Sequence, residues 1–390
     1  MKITDVILFE IRGQRNAPDY SMGDRQAQQL DIYPEFNAHD WARSRPAGQQ
    51  AVHAQYVEIQ TDESISGLFG PIEDEQVFVI RRFLRPYLLD RDPLAIELLS
   101  DQMLRQHRHG RSGLFSTGIS AVDCALWDLK GKVWGQPVFR LLGGPTRPAV
   151  PAYASMLGYS VEPATAAATA LQFQNMGYTA QKWFFRYGPA DSATGMEKNV
   201  MLIAALRNAL GPHYPLMADA YMGWDASYAH RMAIALEPYH LIWLEEPIPP
   251  ERVGSFVRLK STGIPLATGE HIYTRWQVKE LLTAGALDWV QTDPDWCGGI
   301  SELVKICALA SAFDVPVVAH GHSLLPALHV AGAQSPSVVP YVEYLVQHQS
   351  YKQHFHKPFY EPVNGLVMMP ELPGLGLVLD ETKIEQRLTL

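Results

Sequence analysis

Cysteine is nearly absent: Cys124, Cys297 and Cys307 are the only three in 390 residues. They show no metal-binding spacing and cannot all pair, which points to a reducing compartment, the cytoplasm, and away from a disulfide scaffold. No apolar run approaches the roughly 18 residues that cross a bilayer. The start, MKITDVILFEIR, alternates like a strand and lacks the basic-then-apolar order of an export signal. No membrane is expected. Basic residues are outnumbered, 32 against 41, for a formal charge of −9 with no local Lys/Arg cluster, so nucleic acid is not expected as a partner. Low-complexity tracts are missing too, and with 47% hydrophobic residues the chain can bury a large core. An acidic protein that handles an anionic substrate needs a local positive centre, and a bound cation supplies one.

The length predicts two domains, one with room for a barrel of about 250 residues. Three strand-like stretches, KITDVILFEI, VHAQYVEIQT and SISGLFG, open the chain, with a polar loop over about residues 13–50 between the first two. A loop that long is expected to be functional. Helical periodicity follows over roughly 75–107 and again over GISAVDCALWDLKGKVWG, which Gly135 and Pro137 stop. This is an α+β unit, expected to span 1–145. The segment LLGGPTRPAVP then marks a change of architecture.

Beyond it, eight short apolar runs alternate with amphipathic helical stretches: VPAYASML, AQKWFF, PLMADA, LIWLEE, PLATGE, DWVQTD, VPVVAH and YVEYLV. The repeating unit is βα, and eight such units predict a closed parallel (β/α) barrel over 146–355. The remaining segment, 356–390, has no ninth unit and is expected to return to the first domain.

An ionisable residue stands at most of these strand ends: Lys182, Asp219, Glu245, Glu270, Asp293, His320 and Glu343. In a parallel barrel such ends converge on one rim, where barrels do their chemistry. Asp219, Glu245 and Glu270 follow one another at one βα unit each, so three carboxylates from adjacent strands should point into one small volume. Unpaired they would repel and protonate. A hard divalent cation resolves the conflict, and all-oxygen ligation suits Mg²⁺. Taken singly, each could be a surface carboxylate at a loop start; the register of all three argues for a site. Glu246 is either a partner of the ligand shell or bonded to a neighbouring strand end. Asp293 and His320 lie at neighbouring strand ends, where Asp293 can accept from Nδ1 and leave Nε2 as a general base. A lone histidine is more often structural, but this one sits at a catalytic address. Lys182, otherwise an ordinary lysine, would neutralise a substrate carboxylate. For Glu343, in YVEYLV, both core satisfaction and hydrogen-bond donation stay open.

These residues resemble the enolase superfamily, mandelate racemase subgroup, over nearly the whole chain. The resemblance rests on AVDCALWDLKGKVWGQPVFRLLGG, on Asp219 followed by WLEEP and TGE, and on TDPDWCGG with His320 lying 27 residues after Asp293. Within the subgroup, DWCGG, GEH, EPYHL and KWFFRYGPADSATG are most similar to the L-rhamnonate type of acid-sugar dehydratase. The resemblance implies a modified barrel under an α+β capping domain, a Mg²⁺-stabilised enediolate and a homo-oligomer. It also implies substrate contacts from Arg45 in the capping loop and from His271, and places Tyr221 where galactonate and mannonate dehydratases carry a catalytic histidine. Racemases of the subgroup have Lys-x-Lys on the second strand; here the text reads Lys182-Trp183-Phe184, so one base is missing.

The expected reaction is dehydration of a sugar acid: His320 removes the C2 proton, the 3-hydroxyl leaves as water, and Glu343 stabilises the enediolate oxygen, giving a 2-keto-3-deoxy acid. A racemase or epimerase of a 2-hydroxy acid, a dehydratase of another aldonate or aldarate, and a barrel that only binds a sugar acid are the alternatives.

Overall fold

The computed structural model describes residues 1–19, 23–33, 35–36 and 47–390. Arg45 lies outside the described residues. The first layer is an antiparallel sheet in the order β12-β1-β2-β3, from Ile3–Ala17 (β1), Gly48–Thr61 (β2), Ser66–Ile72 (β3) and the last strand, Gln386–Thr389 (β12). The sheet's register joins the two ends of the chain, Phe9 facing Thr389 and Arg12 facing Gln386. Where the sequence predicts a loop from about residue 13, β1 continues to Ala17, which pairs with Gly48. The polar run Arg12 to Asn16 masks the strand because its apolar alternation has ended, while the ladder to β2 has not.

One face of this sheet buries Val6, Leu8, Val57 and Ile59. The helix Gly113–Val133 packs on it with Ile119, Val122, Leu126 and Leu129 fully buried. At about 1.5–3 kcal/mol per fully buried aliphatic side chain, this one contact is a principal source of the layer's stability. The approach is close at Gly67, where any side chain would collide with the carbonyl oxygen of Ala125.

The second sheet is parallel, in the order β10-β4-β5-β6-β7-β8-β9. Its strands are Ala149–Ser155 (β4), Gln181–Phe184 (β5), Leu216–Asp219 (β6), Leu244–Glu245 (β7), Leu266–Thr268 (β8), Trp289–Val290 (β9) and Val342–Leu345 (β10), with helices between them. The short strand Leu366–Met368 (β11) pairs antiparallel with β4. Of the eight predicted barrel runs, VPVVAH is reduced to a single bridge between Val317 and Val290, so among the described residues seven strands carry the ladder. No helix among these residues is long and apolar enough to cross a membrane.

Side chains two apart on a strand share a face. Tyr153, Ala180, Met217, Trp243, Ala267 and Val318 form a separate buried cluster that plugs the barrel interior. Stepping two residues toward the C-terminal end gives Lys182 after Ala180, Asp219 after Met217, Glu245 after Trp243 and His320 after Val318. The apolar plug is therefore the floor of an ionic rim.

Candidate active site

Lys182 is the hub of this rim. It is fully buried, and its Nζ lies 2.6 Å from Glu245 Oε1, 2.8 Å from Glu343 Oε1 and 3.4 Å from Asp219 Oδ2. Burial alone would lower its pKa, but Glu245 and Glu343 outweigh that and hold it well above the usual lysine value. Burial likewise opposes ionisation of Glu343, and Lys182 brings that carboxyl down to about 2. Glu343 also accepts from the Gly321 N–H at 3.0 Å. It is thus the ion-pair partner of the lysine.

The strand-end carboxylates are in register, Asp219 opposite Glu245 and Glu245 opposite Ala267. Glu245 is held by three donors: Lys182, the Trp243 indole at 2.9 Å and the Gln291 amide at 2.7 Å. Asp219 Oδ1 accepts from the Tyr221 N–H at 2.8 Å. Burial, with Glu245 beside it, pushes the Asp219 carboxyl well above the usual range. Burial takes Glu270 up to about 7.

Glu246 follows Glu245, the rim position at the end of β7, and its backbone turns to φ 39°. That left-handed conformation is costly for a glutamate and recurs at functional sites. Here it directs the carboxylate to Thr268 Oγ1 at 2.9 Å and His271 Nδ1 at 2.8 Å. Burial works against the Glu246 charge, but the His271 hydrogen bond prevails and holds its pKa below the ordinary value. His271, its ring burial overcome by Glu246, rises to about 9. Glu246, Glu270 and His271 are the compact group of potential ligand atoms among the described residues, one from each lying within 4.8 Å of the others. Asp219 and Glu245 meet Lys182, and Glu270 faces His320 and His271. The Tyr221 ring stands edge-on to His271, with centroids 5.6 Å apart.

His320 Nδ1 lies 2.7 Å from Asp293 Oδ2, and its Nε2 is 3.4 Å from Glu270 Oε1. The pair expected from the sequence is formed, with the free ring nitrogen facing the carboxylate rim. Capping residues reach this mouth: the Ala27 N–H donates to the Phe185 carbonyl at 2.7 Å, and the Gln29 amide approaches Met222 Sδ at 3.6 Å.

The donor set fits a hard cation. Asp219, Glu245, Glu246, Glu270, Asp293 and Glu343 are all buried, against Lys182 and the two imidazoles. A carboxylate offers about four lone-pair sites, so the hydrogen bonds at Glu245 leave it able to ligate.

Residues 165–383 match the family described as Enolase C-terminal domain-like, and residues 43–143 match the Mandelate racemase / muconate lactonizing enzyme, N-terminal domain. The chain belongs to the enolase superfamily. A curated member, L-rhamnonate dehydratase of Saccharopolyspora erythraea, is 32% identical, with 97% of each chain covered. Among solved structures, rhamnonate dehydratase from Gibberella zeae complexed with Mg superposes with a TM-score of 0.82 at 29% identity, covering 98% of this chain and 95% of that one. A racemase from Streptomyces coelicolor A3(2) with bound magnesium gives 0.80 at 27% identity, with both chains covered completely. Superfamily membership is consistent with the antiparallel layer set over the mouth of a parallel barrel.

Sequence reasoning passed over Trp243, Gln291, Trp296, Glu73 and the pair His322 and Asp295. For the last there was a signal: these two are also 27 residues apart, like His320 and Asp293.

Proposed function

We propose that this protein is a Mg²⁺-dependent acid-sugar dehydratase of the L-rhamnonate type, converting a sugar acid to its 2-keto-3-deoxy product. The observation that carries this reading is the His320–Asp293 pair, aimed at a carboxylate rim with a buried lysine opposite. Asp219, Glu245 and Glu270 would hold the metal, with Glu246 fixing His271. When bound, Mg²⁺ supplies positive charge for the substrate carboxylate as its α-proton leaves.

The remaining chemistry belongs to the side chains. Asp293 fixes the imidazole so that Nε2 is the free base. His320 takes the C2 proton, and the C–O bond at C3 then breaks. The imidazolium returns the proton to the departing hydroxyl, which leaves as water, and the enol tautomerises to the keto acid. Lys182 faces the developing negative charge, a contribution that grows toward the transition state. Glu343 acts through Lys182 by holding it in place. His271, and Arg45 from the capping loop, are the proposed substrate contacts, with Tyr221 beside His271.

A racemase needs a second base. At the position of the second lysine stands Phe184, whose ring centroid lies 5.4 Å from Lys182 Nζ, which favours dehydration over inversion. The enzyme would work on a small sugar acid in the cytoplasm as a homo-oligomer; its three buried free thiols suit a reducing compartment.

The test is a panel of sugar acids incubated with Mg²⁺ or with chelator and assayed for keto acid. Metal-dependent keto-acid formation is expected. Stereoinverted, deuterated substrate recovered from D₂O without keto product would overturn the reading in favour of a racemase.

A further inference from the structure

The turn that carries Asp293 is held from the first layer. Between β9 and the helix Gly299–Ser311, the Asp293 carbonyl accepts the Trp296 and Cys297 N–H groups at 3.0 and 2.8 Å, and Asp293 Oδ1 accepts the Asp295 N–H at 2.6 Å. Three side chains of the first layer's helix, Gly113–Val133, close on the far end of this turn. Ser120 Oγ accepts the Gly298 N–H at 2.8 Å, Asp123 Oδ1 accepts the Ser301 N–H at 3.0 Å, and the Trp127 indole donates to Ser301 Oγ at 2.9 Å. Positions 120, 123 and 127 recur at the helical spacing that puts them on one face. From the same layer the Gln76 amide donates to the Asp295 carbonyl at 3.2 Å.

Packing does not account for an acid at position 123. Asp123 is fully buried, among the described residues its Oδ2 has no hydrogen-bond partner, and burial pushes its carboxyl up to about 7 against the Ser301 hydrogen bonds. An apolar side chain would fill the same interior position without that desolvation. What the acid supplies is a cap. The helix Gly299–Ser311 begins after Gly298, which has no side chain to accept its first N–H groups, and Asp123 accepts the third of them as an N-cap carboxylate does. Gly299 makes room for it: a Cβ there would lie 2.3 Å from Asp123 Oδ1, and its φ of 86° suits glycine.

We propose that Asp123 is a positioning residue for the reaction: by capping the helix Gly299–Ser311 from the first layer, it fixes the turn whose Asp293 carboxylate orients His320. Alignment of the base is thereby tied to the seating of that layer. Asp123 acts through Asp293, whose Oδ2 lies 2.7 Å from His320 Nδ1. The inference rests on the dehydratase reading for its kinetic consequence and on the turn alone for its structural one.

The test uses the full-length protein with Mg²⁺ and L-rhamnonate, in the variants Asp123→Ala, Asp123→Asn and Ser120→Ala. Hydrogen exchange over residues 293–301, read by mass spectrometry, should quicken about tenfold in Asp123→Ala, and less in Asp123→Asn, which keeps an acceptor oxygen. In Asp123→Ala kcat should fall about tenfold with KM near wild type, and Asp123→Asn should recover part of the loss. In an Asp293→Asn background Asp123→Ala should add no further loss, because residues acting in one chain of contacts are not additive. A purely structural role would multiply the two losses. Multiplied losses, or a wild-type kcat in Asp123→Ala, overturn the inference while the dehydratase reading stands. Should Asp123→Ala not fold, Ser120→Ala, which removes only the Gly298 bond, carries the same readouts: a fall in kcat of about threefold supports the inference and an unchanged kcat overturns it. If the wild type forms no keto acid from L-rhamnonate, the dehydratase reading fails and exchange alone decides: quickened exchange over 293–301 supports the inference, and unchanged exchange overturns it.

Discussion

His320 and Asp293 share a hydrogen bond of 2.7 Å that turns the other ring nitrogen toward Glu270. Buried among carboxylates, this imidazole presents its second ring nitrogen to the rim. His320→Asn should lower kcat by about 10²–10⁴-fold, the range for a positioned general base. Mg²⁺ affinity should stay near wild type by calorimetry. Keto-acid formation at the wild-type rate would remove His320 from the role.

Glu245 and Glu246 are adjacent in sequence but serve different neighbours. Glu245 is tied to Lys182, Trp243 and Gln291, and Glu246 to Thr268 and His271. Glu245→Gln should weaken Mg²⁺ binding more than tenfold, at a cost of about 1.4 kcal/mol or more. Glu246→Gln should leave the metal largely in place and lower the His271 pKa, seen by NMR titration. The reverse pattern would assign the metal to Glu246, Glu270 and His271.

Lys182→Met removes the cation shared by Asp219, Glu245 and Glu343. Stranding buried charge in this way costs about 3–5 kcal/mol, so urea denaturation should show a loss of that order together with loss of turnover. Added Mg²⁺ should recover part of the stability, as any ligand of the folded state does. An unchanged denaturation midpoint would mean that the carboxylates are not held by the lysine.

His329 sits far from this chemistry and predicts a pH effect. Its Nδ1 accepts the Phe139 N–H at 3.1 Å, its Nε2 faces the Leu375 carbonyl at 3.1 Å, and burial lowers its pKa from 6.5 to about 4. Between those values the unfolded chain is protonated and the folded one is not. Stability therefore rises with pH across that window and is lost as pH falls through it. From neutral pH to pH 5, its share of the loss should be about 2 kcal/mol at 1.36 kcal/mol per unit. His329→Gln should be less stable at neutral pH yet show a shallower slope; a slope equal to wild type would clear His329.

Much of the rim was legible because one residue per βα unit, each with chemistry, is a one-dimensional signal. Asp219, Glu245, Asp293 and His320 could be placed at strand ends without coordinates. The orientation at Glu246 was not legible: a left-handed backbone at a glutamate leaves no mark in composition or periodicity. Nor was the pairing of Lys182 with Asp219 and Glu245, which come from strands distant in sequence. VPVVAH reads as a strand because it is apolar and β-branched, but among the described residues it pairs with its neighbour at a single bridge, Val317 to Val290. The extension of β1 to Ala17 was hidden because a hairpin arm carried by backbone hydrogen bonds needs no apolar alternation.

The two-residue step from plug to rim sets how this scaffold can change. Point substitution at Lys182, Asp219 or Glu245 alters the reacting groups while Ala180, Met217 and Trp243 still fill the interior below. Adding or deleting one residue within such a strand would invert its two faces, sending charge into the packed centre and an aromatic ring outward. New activities on this architecture are thus reached by exchanging letters at fixed addresses, and length variation is confined to the connections above them.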